Sequence, residues 1–172
     1  QRFEEALDCF ERCVRSNPAN PRFHTDMGRA LASLNRMQEA VDAFEQAISV
    51  DRTHAEAWKF KGNAHLRLGE MPKAVQAYNT AIDLGAEDGP LLRSKGKALE
   101  AMGRVEEARE TYMRATVVAP NDALAWERLA LIEEKQQYLD NAFAAIDRAS
   151  VLDPSSKRVW MERAAIAEGL GK

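Results

Sequence analysis

The stretch WKFKGNAHLRLG, residues 58–69, places Gly62 among strong helix formers, where a glycine costs about 1 kcal/mol against alanine. A close approach at Gly62 would offset that cost. The rest of the chain supplies the reason, because a step of 34 residues carries Gly62 back to Gly28 and on to Gly96, Ala130 and Ala164. Small residues recur at every copy. Four residues upstream the same step gives His24, Trp58, Leu92, Trp126 and Trp160, and three downstream it gives Leu31, His65, Leu99, Glu133 and Ala167.

A second series follows the same step: Ala6, Ala40, Ala74, Ala108 and Ala142, then Phe10, Phe44, Tyr78, Tyr112 and Ile146, then Cys13, Ala47, Ala81, Ala115 and Ala149. Pro18, Pro120 and Pro154 share a further phase, with Arg52 and Ala86 in the other two copies. Spacings of four and then three place each series on one face of an α-helix. Every period therefore holds two amphipathic helices. Short breaks such as Leu68-Gly69-Glu70-Met71-Pro72 and Met102-Gly103-Arg104-Val105 separate them, with Gly ending one helix and Pro opening the next. Links this short make the two helices antiparallel neighbours.

Trp58, Gly62, Ala74, Tyr78 and Ala81 carry a close likeness to one signature, and the chain resembles the tetratricopeptide repeat family, whose period and Trp/Gly/Tyr/Ala pattern it shares. The resemblance implies an all-α fold, an α-solenoid of stacked antiparallel helix pairs that curves into a right-handed superhelix. One domain spans 1–172: a lone second helix in 1–20, full repeats at 21–54, 55–88, 89–122 and 123–156, and a lone first helix in 157–172. Ten helices are expected in all, and the array reads as a piece of a longer one. The expected contact inside a pair is small against small, Gly62 on Ala74, with Trp58 and Tyr78 packing around it. Burial of Trp58 would make its truncation to alanine cost about 3–5 kcal/mol.

Beside the packing stripe, turned by roughly 100°, runs a second one: Glu56, Lys59, Asn63 and Leu66. In the resembled family this stripe of the first helices faces a concave groove that binds extended protein segments. Its counterparts are Arg22, Thr25, Arg29 and Ala32; Pro90, Arg93, Lys97 and Glu100; Leu124, Glu127, Leu131 and Glu134; and Arg158, Met161, Ala165 and Glu168. Arg29, Lys59, Arg93 and Lys97 make the early part basic, and Glu127, Glu134 and Glu168 make the later part acidic. The expected partner-binding residues are Arg29, Lys59, Asn63, Leu66, Arg93, Lys97, Arg128 and Leu131. The expected partner is a protein or peptide with acidic residues; Phe60, Leu66 and Leu131 are the apolar anchors. Lys59 and Asn63 also look like part of the carboxylate clamp by which some tetratricopeptide cochaperones hold the acidic C-termini of heat-shock chaperones. The match is partial: the next repeat has Ser94 and no Asn, and the third has Arg128 but Leu124 in place of Lys.

Other classes fit less well. His24, His54 and His65 fall at unrelated phases, and no triad, metal motif or phosphate loop emerges. No enzymatic activity, metal or cofactor is expected. Gly85-Ala86-Glu87-Asp88-Gly89-Pro90 reads as a turn between repeats. A net charge of −3 argues against nucleic acid and anionic membranes as partners. Cys9 and Cys13, four apart on one helix, read as packing thiols of a reducing compartment. No run of residues is apolar enough to span a bilayer, so a cytoplasmic location is expected. A competing use of the same repeats is self-association through the terminal helices, where Val159, Trp160 and Ile166 lack a neighbour.

Overall fold

The computed structural model describes residues 2–171, which form ten α-helices and no strand. In chain order they are α1 (Arg2–Ser16), α2 (Pro21–Ser33), α3 (Met37–Val50), α4 (Ala55–Leu68), α5 (Met71–Asp83), α6 (Gly89–Ala101), α7 (Val105–Val118), α8 (Ala123–Lys135), α9 (Leu139–Leu152) and α10 (Lys157–Gly169). None of them is long and apolar enough to cross a membrane.

The described residues up to Glu87 form one compact unit and those from Asp88 a second. In the first, α2 packs on α3 and α4 on α5, with α1 against α2 and α3 against α4. Leu7, Leu31, Val41 and Phe44 centre its core, and Phe10, Met27 and Phe60 pack on them. In the second, α6 packs on α7 and α8 on α9, with α7 against α8 and α9 against α10. Leu91, Leu92, Leu99, Tyr112, Ile132 and Ile146 are buried there.

One turn recurs inside each pair. Asn35, Gly69, Gly103 and Gln137 take φ of 63, 79, 73 and 64°. The N–H of each following residue, Arg36, Glu70, Arg104 and Tyr138, donates to the carbonyl of Leu31, His65, Leu99 and Glu133, each at 2.9 Å. Carbonyls left over at a helix end are satisfied by such a left-handed closure. Four of the five first helices begin on side-chain caps: Asn20, Asp88, Asp122 and Ser156 accept from N–H groups of α2, α6, α8 and α10, whereas His54 at the start of α4 makes no such bond. These oxygens replace the missing intrahelical partners of the first turn.

The contact at Gly62 differs from the expected one. Its nearest contact is the ring of Tyr78 and not Ala74: a Cβ added at Gly62 would lie 2.6 Å from Tyr78 Cε1. Gly28 meets Phe44 Cε1 and Gly96 meets Tyr112 Cε1 in the same way, each at 2.5 Å. The aromatic ring fills the volume a methyl group would need, which offsets the glycine's poor helix propensity. Where Ala130 replaces the glycine, the residue at the ring phase is Ile146, and both are fully buried.

Trp58 departs from expectation too, since it is half-buried and not a core residue. Its indole Nε1–H donates to the carbonyl of Arg52 at 3.0 Å. Trp126 and Trp160 donate likewise to Pro120 and Pro154, at 2.9 and 3.0 Å, and His24 Nε2 donates to Pro18 at 2.8 Å. The large residue of the first helix thus ties down the link that precedes it, the ring N–H finding there the acceptor it needs. Leu92 has no such donor, and there the link turns through Gly85 at φ 88°.

Candidate functional site

All eight expected partner-binding residues lie on first helices: Arg29 on α2, Lys59, Asn63 and Leu66 on α4, Arg93 and Lys97 on α6, Arg128 and Leu131 on α8. In the first unit, two of them sit over Phe60. The Arg29 guanidinium carbon sits 5.0 Å from the Phe60 ring centroid and Lys59 Nζ 5.9 Å from it, within the range where a cation gains from the ring's negative face. Arg29 also pairs with Asp26 at 3.0 Å. The buried Tyr78 hydroxyl donates to Asn63 Oδ1 at 2.7 Å, which turns the amide so that its N–H₂ end is the group left to donate. Leu66 is half-buried on the same helix. A crevice of about 250 Å³ beside Arg29 is lined by Phe3, Ala6, Phe10, Asp26, Ala30 and Ser33. Cationic and amide donors beside apolar surface suit a carboxylate carried on a chain with apolar neighbours.

In the second unit two of the stripe's charges are already engaged. Arg93 Nε donates to Asp122 Oδ2 at 2.6 Å. Asp122 is itself the α8 cap, its Oδ1 accepting from Leu124 and Ala125 at 3.1 and 3.3 Å. Lys97 is exposed and makes no ion pair with any described residue, while Arg128 and Leu131 are half-buried. Glu127, expected among the acids of the groove, is buried and accepts from Arg158 Nη2 at 2.6 Å.

Thr25, Arg93 and Glu127 stand at one phase of the repeat, and each is spent on the start of the next first helix. Thr25 Oγ1 lies 3.1 Å from Nε2 of His54, which precedes α4; Arg93 reaches the cap of α8, and Glu127 reaches the first turn of α10. These side chains tie successive repeats together. Arg93 is accordingly a structural ion pair first.

Sequence reasoning missed Tyr78 as the residue that orients Asn63, and Asp122 as the partner of Arg93. Asp122 was visible as an acid just before a helix, which is a capping signal; the Tyr78–Asn63 bond left no mark in the spacing. Glu162 was also missed. Its carboxyl is pushed above the usual range by burial and then by Glu127, with Arg158 and Arg128 opposing and Glu134 adding to the rise. The histidines take structural bonds: His65 Nδ1 meets Glu70 Oε2 at 2.6 Å, and His24 and His54 act as described above.

The sequence profile described as tetratricopeptide repeat matches residues 1–53, 25–89 and 93–157. Among solved structures, YrrB, a TPR protein with an unusual peptide-binding site, is similar over 96% of this chain and 86% of its own, at 19% identity and a TM-score of 0.84. MamA matches over 88% of this chain and 89% of its own, at 21% identity and 0.81. TTC0263, a thermophilic TPR protein of Thermus thermophilus, matches over 96% and 90%, at 18% identity and 0.73. These likenesses show an α-solenoid fold. No curated protein matches the sequence.

Proposed function

The chain belongs to the tetratricopeptide repeat family, whose members are in general non-catalytic protein-interaction scaffolds, and on that premise we propose that it holds an extended protein segment with acidic residues along its first helices. The observation that carries the reading is the pair of cations, Arg29 and Lys59, over the Phe60 ring, with the oriented Asn63 amide three residues further along α4. The peptide-binding site of YrrB lends support, since that protein shares the fold. Within the reading, Arg29, Lys59 and Asn63 engage carboxylates, Phe60 and Leu66 supply apolar contact, and Lys97, Arg128 and Leu131 offer contacts of their own within the second unit.

Fluorescence anisotropy with labelled peptides tests this, each peptide carrying two adjacent Asp or Glu residues beside a leucine, compared with its Asn/Gln twin. The acidic peptide should bind about tenfold more tightly at low salt. The gap should narrow as salt shortens the screening length and close in Arg29→Glu. Equal binding of the two peptides would overturn the reading.

Assembly through the flanking helices is a second reading. It draws on Phe3 of α1, 55% exposed, and on Trp160 and Met161 of α10, 46% and 70% exposed. A sedimentation mass that stays constant as concentration rises would remove it.

A further inference from the structure

Each second helix carries a small–large–small face, and in α3 its members, Ala40, Phe44 and Ala47, are at most 1% exposed. The same phases of α5, α7 and α9 are buried as completely. In α1 they fall on Ala6, Phe10 and Cys13, which stay half-buried although α1 packs on α2. Beside them runs the crevice of about 250 Å³ that Phe3, Ala6 and Phe10 of α1 and Ala30 of α2 help to line. A step of 34 residues carries those four onto Met37, Ala40, Phe44 and Ala64, all of them buried. There α2 is packed on α3 and also touches α4, with Gly28 against the Phe44 ring. The crevice beside α1 is therefore a seat of the kind that α2 fills one repeat further on.

We propose that the α1 face formed by Phe3, Ala6 and Phe10 docks an α-helix of a partner protein, one that presents glycine to the Phe10 ring. Phe3 is 55% exposed, so the face is open to an incoming helix. The glycine follows from the other rings at this phase. Phe44, Tyr78 and Tyr112 each come within 2.6 Å of where a Cβ on the facing glycine would stand, so such a ring excludes even a methyl group. Ile146, which is no ring, faces Ala130 instead. An extended segment would lay unpaired backbone N–H and C=O groups against this apolar surface, whereas a helix satisfies its own. A second copy of this chain does not supply the element. The glycines inside α2, α4 and α6 already meet rings of their own, and α10 has Ala164 at that phase.

The inference stands apart from the acidic-segment reading, because its test varies one methyl group and no charge, so either can fail alone. Isotope-labelled full chain is titrated with a hydrocarbon-stapled helical peptide copying residues 55–70, which bears Gly62, or with its Gly62→Ala twin. The twin is the better helix former, so a preference for the glycine peptide comes from the surface it meets. The glycine peptide should bind about tenfold more tightly and shift the backbone amide signals of Phe3, Ala6 and Phe10. In the full chain, Phe10→Ile should cancel or reverse that preference, since Ile146 accepts Ala130 in the native pair, while circular dichroism shows the helices intact. Equal binding of the two peptides, a preference that survives Phe10→Ile, or shifts that leave α1 untouched would overturn the proposal. A sedimentation mass that rises with concentration in the unaltered chain, and not in Phe10→Ile, would give the face to a second copy and overturn it too. If Phe10→Ile fails to fold, the peptide preference and the place of the shifts in the unaltered chain decide the matter.

Discussion

Replacing Gly62 with alanine adds a methyl carbon that would sit 2.6 Å from Cε1 and 2.7 Å from Cδ1 of Tyr78. On helix propensity alone the change should stabilise the protein by about 1 kcal/mol. The Tyr78 ring opposes this, because it is fully buried and its hydroxyl is tied to Asn63 at 2.7 Å. Forcing the ring aside carries an overpacking cost of about 1–3 kcal/mol. Losing the Asn63 bond adds about 1 kcal/mol. The net expectation is a loss of about 1–3 kcal/mol, read as a lowered midpoint in urea titration of the full chain. Tyr78→Ile supplies the decisive control, since Ala130 and Ile146 are the native pair at these phases. In a double-mutant cycle, Tyr78→Ile should cost less on the Gly62→Ala background than on the wild type, by about 1 kcal/mol or more. A stabilising Gly62→Ala, or two changes that simply add, would refute the argument that ring and glycine share one volume.

Three further outcomes follow from the geometry. Gln137 takes the turn position at φ 64° that Gly69 and Gly103 fill elsewhere, so Gln137→Gly should raise the urea midpoint, by about 0.5–1 kcal/mol in stability. Asp122→Ala removes the α8 cap as well as the partner of Arg93. It should cost about 1–2 kcal/mol through the cap, more than Arg93→Ala does in the same titration. Burial, helped by the charge of Glu100, pushes the Tyr112 phenol well above its ordinary value. The folded state then keeps a proton that the unfolded chain releases, so the contribution is intact below about pH 10 and is lost as the pH rises further. Wild-type stability should fall more steeply than that of Tyr112→Phe in this range, and parallel curves would contradict the assignment.

Much of the fold was legible because its contacts are local and periodic. Gly28, Gly62 and Gly96 recur at one phase and Phe44, Tyr78 and Tyr112 at another, and spacings of four and three leave little choice but paired amphipathic helices. What the spacing could not decide was which member of a stripe meets the glycine. Ala74 and Tyr78 lie four apart on one face, and only the offset between the two helices selects the ring. The site was less legible still. Thr25, Arg93 and Glu127 have the phase of surface residues, yet each reaches the next first helix. That reach depends on the placement of successive repeats, which no helical wheel encodes. Trp58 misled for a related reason: its size suggested the core, while its N–H required a carbonyl at the link.

The pairing of rings with glycine also bears on assembly through the flanking helices. Ala164 of α10 stands at the phase of Gly62, and Phe10 of α1 stands at the phase of Tyr78. Were α1 of a second copy to pack on α10 as α3 packs on α2, the Phe10 ring would fall where the Ala164 methyl already is. The corresponding Gly28–Phe44 contact leaves only 2.5 Å for such a carbon, well inside the roughly 3.5–4.0 Å at which carbon atoms attract. Association in that register therefore works against the packing rule that every other pair in the chain obeys. A helix that fits Ala164 should instead bring an aliphatic residue to the ring phase, as α9 brings Ile146 to Ala130. The exposed Trp160 and Met161 are then no socket for α1 in that register.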